Sequence, residues 1–131
     1  MQEEADAIRS ARQQSGWRGL YFGGVAFKYC RRVEQLEAAA RIAIRYMDVV
    51  TTSGPGTGKA AEPDKLRRMR QALGSFPLAL ASGVTPENVT DYLPYVDCFL
   101  VATGISKSFT ELDPAKLATL VERVRGYAGS P

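Results

Sequence analysis

Histidine is absent from all 131 residues. Without imidazole the chain cannot by itself build a Ser-His-Asp triad, a Cys-His pair or a histidine-ligated zinc or iron site. Any proton transfer falls to Lys, Glu, Asp, Tyr or Cys. Cysteine is nearly absent too: Cys30 and Cys98 are the only two, and Cys98 sits in an apolar run, where a free thiol behaves as a small hydrophobe. Neither suggests a disulfide or a metal, and no metal or cofactor is expected. No apolar stretch approaches the roughly 20 residues that span a bilayer, so no integral membrane segment is expected. The start Met1-Gln2-Glu3-Glu4-Ala5-Asp6 is acidic and lacks the basic-then-apolar layout of a secretory signal, from which a cytoplasmic location is expected. Net charge is only +3. The arginines Arg9, Arg12, Arg41, Arg45, Arg67, Arg68 and Arg70 fall on helix faces rather than in one block with interleaved aromatics, which favours a solvated surface over a nucleic-acid partner.

What the chain does have is an apolar run that stops, again and again, at glycine or a small hydroxyl residue. The clearest copy is Phe76-Pro77-Leu78-Ala79-Leu80-Ala81-Ser82-Gly83, followed by Thr85-Pro86, a helix start with Thr85 as N-cap and Pro86 at the first helical position. Leu20-Tyr21-Phe22-Gly23-Gly24-Val25-Ala26-Phe27-Lys28 reads as a first strand, Met47-Asp48-Val49-Val50-Thr51-Thr52 as a second, and Cys98-Phe99-Leu100-Val101-Ala102 as a fourth. The paired glycines in the first strand imply close packing or a bulge. Helices are predicted over 33–46, from Pro63 with Leu66, Met69 and Leu73 inward, and from Asp113-Pro114 with Leu117, Leu120, Val121 and Val124 inward. Strands three and four are apolar at successive positions, the mark of strands covered on both faces, so the sheet is expected to be parallel.

The fold class is therefore α/β: a leading polar helix over 1–16, then four βα units over 17–131, half of a TIM barrel in one partial-barrel domain. A complete barrel of this type has about 250 residues. An open half exposes strand edges, so a homo-oligomer or a missing N-terminal half-barrel partner is expected. Tyr46-Met47-Asp48-Val49-Val50 and Tyr95-Val96-Asp97-Cys98-Phe99 form a faint repeat. Asp48 and Asp97 fall at strand starts, the end of such a barrel associated with stability, and read as structural.

Ligands of parallel barrels sit at the carboxyl ends of the strands. Ser82-Gly83 and Thr103-Gly104 close the last two strands, where glycine lets an oxygen approach the backbone and exposed N–H groups favour an anion. With Lys107 nearby, an anion site is favoured over glycines that only turn the chain. The loop Gly54-Pro55-Gly56-Thr57-Gly58-Lys59-Ala60 invites a nucleotide-binding reading, but Ser53 stands where the first glycine is required and Ala60 where the magnesium-holding hydroxyl is. A loop at the mouth, with Lys59 available for an anion, fits better. Lys28 ends the first strand; it is a candidate substrate-binding residue or base, or a lysine whose stem is packed and whose head is in water. Glu62 is a second catalytic candidate, able to pair with Lys28 or Lys59, or a plain N-cap. Tyr21, Tyr29, Tyr92 and Tyr95 read as packing residues.

From Gly19 to Arg125 the chain resembles the C-terminal half of the BtpA family, barrel proteins of the ribulose-phosphate-binding class named for a member involved in photosystem I biogenesis. The resemblance is carried by Phe22-Gly23-Gly24-Val25-Ala26-Phe27-Lys28, by Asp48-Val49-Val50-Thr51-Thr52-Ser53-Gly54 with Thr57-Gly58-Lys59, and most specifically by Ala81-Ser82-Gly83-Val84-Thr85-Pro86-Glu87-Asn88-Val89. Val101-Ala102-Thr103-Gly104 departs from the family's usual glycine-threonine or glycine-serine strand end. The resemblance implies the fold of a barrel half; the strand ends and the loop carry the expected function, binding of a phosphorylated small molecule with contacts from Gly54, Gly56, Thr57, Gly58, Lys59, Ser82, Gly83, Thr103 and Gly104 and no assigned reaction. The alternative is a noncatalytic assembly or accessory protein acting through protein contacts. Nucleotide hydrolysis through Lys59 is a minor third reading.

Overall fold

The computed structural model describes residues 2–29 and 32–128. Elements run α1 (Gln2–Ser15), β1 (Phe22–Gly24), α2 (Leu36–Ala43), β2 (Val49–Ser53), α3 (Pro63–Leu73), β3 (Leu78–Ala81), α4 (Val89–Tyr92) and β4 (Cys98–Leu100). A 3₁₀ turn (Thr103–Ile105), the strands β5 (Ser106–Ser108) and β6 (Glu111–Leu112), and α5 (Pro114–Arg125) complete the chain. Strands β1 to β4 form one sheet in the order β1-β2-β3-β4, and every pairing is parallel. The expected parallel α/β sheet is present.

Register divides the sheet residues between two faces. Val50 pairs with Leu78 and Thr52 with Leu80, and Val50, Leu78 and Leu80 join Leu36, Ala40, Leu66, Met69, Val89 and Leu120 in one buried cluster. Those partners lie on α2, α3, α4 and α5, so the helices cover this face, as right-handed crossovers between neighbouring parallel strands require. Val49, Ala79 and Ala81 point the other way; they are buried but stand outside that cluster. Arg68 ties α3 to α2 through a two-pronged contact with Glu37, at 2.6 and 2.9 Å.

Several boundaries differ from expectation for local reasons. The first strand is only three residues long, because Ala26 takes a left-handed conformation, φ +50°, and turns the chain before Lys28. Helix α2 is shorter than 33–46. Thr85 does not cap an α-helix: Thr85 Oγ1 accepts from Asn88 N–H and Asn88 Oδ1 accepts from Thr85 N–H, a reciprocal turn that delays α4 to Val89. Asp113 does cap α5, accepting from the N–H groups of Ala115 and Lys116, but only Leu120 of that helix is buried. Antiparallel strands β5 and β6 have no counterpart in the sequence reading. No described helix is long and apolar enough to cross a membrane. Cys98 is a free thiol, its pKa raised by burial and then by Asp97; Cys30 lies outside the described residues.

Candidate functional site at the strand ends

All three described non-glycine residues with left-handed backbone lie just beyond strand ends: Ala26, Tyr29 (φ +58°) and Ser82 (φ +63°). Each such conformation costs on the order of 1–3 kcal/mol and persists only where the surroundings enforce it. Lys28 lies among these turns. Its N–H donates to Ser53 Oγ at 2.7 Å, and the buried Ser53 hydroxyl in turn donates to the Gly54 carbonyl. Its ammonium donates to Ser82 Oγ at 2.7 Å and to Thr57 Oγ1 at 3.2 Å. One side chain thus spans from the end of β1 to the end of β3 and to the loop after β2.

Beside that bridge lies a cavity of about 170 Å³ lined by Lys28, Thr57, Ser82, Gly83, Thr103 and Gly104 among others. A neighbouring cavity of about 250 Å³ shares Gly58, Gly83, Thr103 and Gly104 and adds Lys116. Seven of the sequence-derived candidates are therefore brought together: Lys28, Thr57, Gly58, Ser82, Gly83, Thr103 and Gly104.

The other candidates are placed differently. Lys59 lines neither cavity. Its carbonyl is wedged against Gly54 and Gly83, and a Cβ at either glycine would collide with that oxygen; a Cβ at Gly104 would collide with the Val84 carbonyl. These glycines permit close backbone packing, a role that needs no ligand. Gly56 sits under the Tyr29 hydroxyl. Gly54 and Glu62 line a separate cavity, and the Glu62 side chain does not cap α3. Lys107, expected near the anion, instead pairs with Glu111 at 3.7 Å, and Lys116 takes its place at the cavity wall.

Sequence reasoning missed three participants. Tyr29, read as packing, is 79% exposed, and its hydroxyl accepts from Thr57 N–H. That bond from the Thr57 backbone, then the Thr57 side chain, with Lys28 and Lys59 adding positive charge, draws the phenol pKa below its ordinary value. Lys65, in the first turn of α3, donates to the carbonyls of Ala26 and Ser53, both at 2.8 Å, and burial lowers its pKa. Lys116 carried no signal beyond its place in the first turn of α5. Tyr92, in contrast, is a packing residue as expected: it is buried, and its hydroxyl donates to the Ala61 carbonyl.

A larger cavity, about 600 Å³, is elsewhere, between α1 and the segment leading into β2. There Arg12 pairs with Asp48 and donates to the Gly19 carbonyl, and Arg9 stacks over Tyr46. Among the described residues, none of the non-glycine residues with left-handed backbone lines it. No protein-family model matches the chain and no curated protein matches it, so the reading of this site rests on its geometry.

Proposed function

We propose that the chain is a barrel half of the BtpA kind that binds a phosphorylated small molecule at the carboxyl ends of its parallel strands. The observation that carries this reading is the Lys28 ammonium held between the Ser82 and Thr57 hydroxyls at the wall of the Gly83–Gly104 cavity. Because Ser82 Oγ accepts from Lys28, its own proton remains to donate outward, and the ammonium beside it supplies the positive charge a phosphate needs. Lys116 lines the adjoining cavity beside Glu87, whose carboxylate offsets its charge, so Lys28 is the cation that serves the phosphate. A hydrogen bond to a charged group is worth roughly 1.5–3 kcal/mol, so Ser82→Ala should weaken binding by at least about tenfold.

Calorimetry with ribose 5-phosphate against ribose tests the reading. The phosphate ester should bind and the free sugar should not, and Lys28→Met and Ser82→Ala should each weaken the ester alone. Equal affinity for both sugars would remove the phosphate site. Gly83 is unsuited to this test, because its substitution displaces the Lys59 carbonyl.

A second reading, a noncatalytic assembly module, is favoured by the sheet face opposite the helices. Phe22 on β1 is 42% exposed and Leu100 on β4 is 48% exposed, and both strands are sheet edges. A second copy or a complementary half-barrel would cover them.

A further inference from the structure

A cavity of about 450 Å³ lies where the ends of β1 and β2 meet the start of α3. It shares only Lys28 with the Ser82 cavity. Its distinguishing group is Lys65, half-buried. Two of its three N–H donors are held by the Ala26 and Ser53 carbonyls. Among the described residues no carboxylate reaches it: the ion pairs elsewhere involve other cations. A half-buried ammonium whose partners are carbonyl dipoles alone is costly, and its third donor is left without a bond among the described residues.

The remaining walls say which anion would suit. Arg32 adds a second cation and Glu62 one negative charge, while Phe27, Val33 and Pro55 contribute apolar surface. The Lys28 ammonium is engaged by Ser82 and Thr57. With Lys28, Arg32 and Lys65 against Glu62 the lining is net positive, which suits an anion, and the apolar walls favour a carboxylate with an apolar body over inorganic phosphate. Apolar walls with a few placed polar groups are the usual make-up of a small-molecule site. We propose that this cavity is a second ligand site, taking a monocarboxylate with an apolar body, its carboxylate on Lys65 and Arg32 and its body against Phe27, Val33 and Pro55.

The test is an NMR titration of the isotope-labelled full chain with benzoate, benzyl alcohol and inorganic phosphate as probes. Benzoate should move the amides of Ala26, Ser53 and Lys65 saturably, and benzyl alcohol should bind at least about tenfold more weakly, the loss of one charge-assisted bond. Lys65→Met should abolish the benzoate response and Arg32→Met should weaken it several-fold, whereas Lys107→Met should leave it unchanged, because Lys107 pairs with Glu111 away from this cavity. Because Arg32 is exposed, that variant keeps the test decisive if Lys65→Met does not fold. Equal binding of the alcohol, an unchanged response in folded Arg32→Met, no response to benzoate, or phosphate acting on these amides as strongly as benzoate would each overturn the proposal. Failure of ribose 5-phosphate to bind would leave it standing.

Discussion

Asp48 and Asp97 perform the same task one strand apart. Asp48 Oδ2 accepts from Tyr21 N–H at 2.7 Å and pairs with Arg12; Asp97 Oδ2 accepts from Leu78 N–H at 2.8 Å and pairs with Arg70. Each carboxylate at the start of one strand fastens the start of the strand before it. Replacing Asp97 with Ala leaves the Leu78 N–H and Arg70 without that partner and should lower stability by about 1–3 kcal/mol, read from the midpoint of urea unfolding. The Tyr21 N–H, and after it Arg12, holds the Asp48 carboxyl below its ordinary pKa of 3.8. The folded value is depressed, so this contribution is complete above about pH 4 and is lost as pH falls through the lower folded value. Asp48→Asn should therefore be less stable at neutral pH and show a flatter acid limb by circular dichroism. Both aspartates were legible as structural, because the Tyr-x-Asp repeat places them at strand starts. Lys65 was not, since its partners come from two strand ends remote in sequence and its own neighbourhood reads only as a polar first helical turn.

The loop over 54–61 shows how one element can hold glycines with different duties. Gly58 has φ +71° with open space around it, whereas Gly83, φ +75°, and Gly54 are pressed against the Lys59 carbonyl. Gly58→Ala should cost about 1 kcal/mol for its backbone conformation alone. Gly83→Ala meets the same backbone penalty and a collision with main chain, and should lose at least about 2 kcal/mol. Thermal unfolding of the two variants side by side separates these roles; equal losses would contradict the packing role of Gly83. At this scale helices α3 and α5 were legible from their Pro starts and apolar spacing. Strand β1 was overextended because apolar residues continue past the left-handed turn at Ala26, which contacts from Ser53, Thr52 and Lys65 enforce. The β5–β6 pair escaped notice because its strands are largely polar and exposed, with Phe109 fully exposed at its tip, so no apolar alternation announced it.

For the molecule as a whole, the face opposite the helices governs association. Thr51 Oγ1 on that face is buried with no hydrogen-bond partner among the described residues, and the two edge strands each show a large apolar side chain to water. Sedimentation velocity should therefore detect association, and Phe22→Glu should shift the chain toward monomer without lowering its melting temperature by more than a few degrees. A stable monomer in the unmodified chain, with little binding of a hydrophobic dye, would count against both closure by a second copy and docking of a complementary half. That the sheet is parallel was legible from unbroken apolar runs; what completes it was not, because edge pairing is decided between surfaces rather than along the chain.

The order β1-β2-β3-β4 also bears on how the protein is made. Each strand bonds only to the one synthesised before it and the one synthesised after it, so no gap waits in the sheet for a segment still inside the ribosome. On emerging, β2, β3 and β4 each find their neighbour already made, so assembly of this sheet can keep pace with translation.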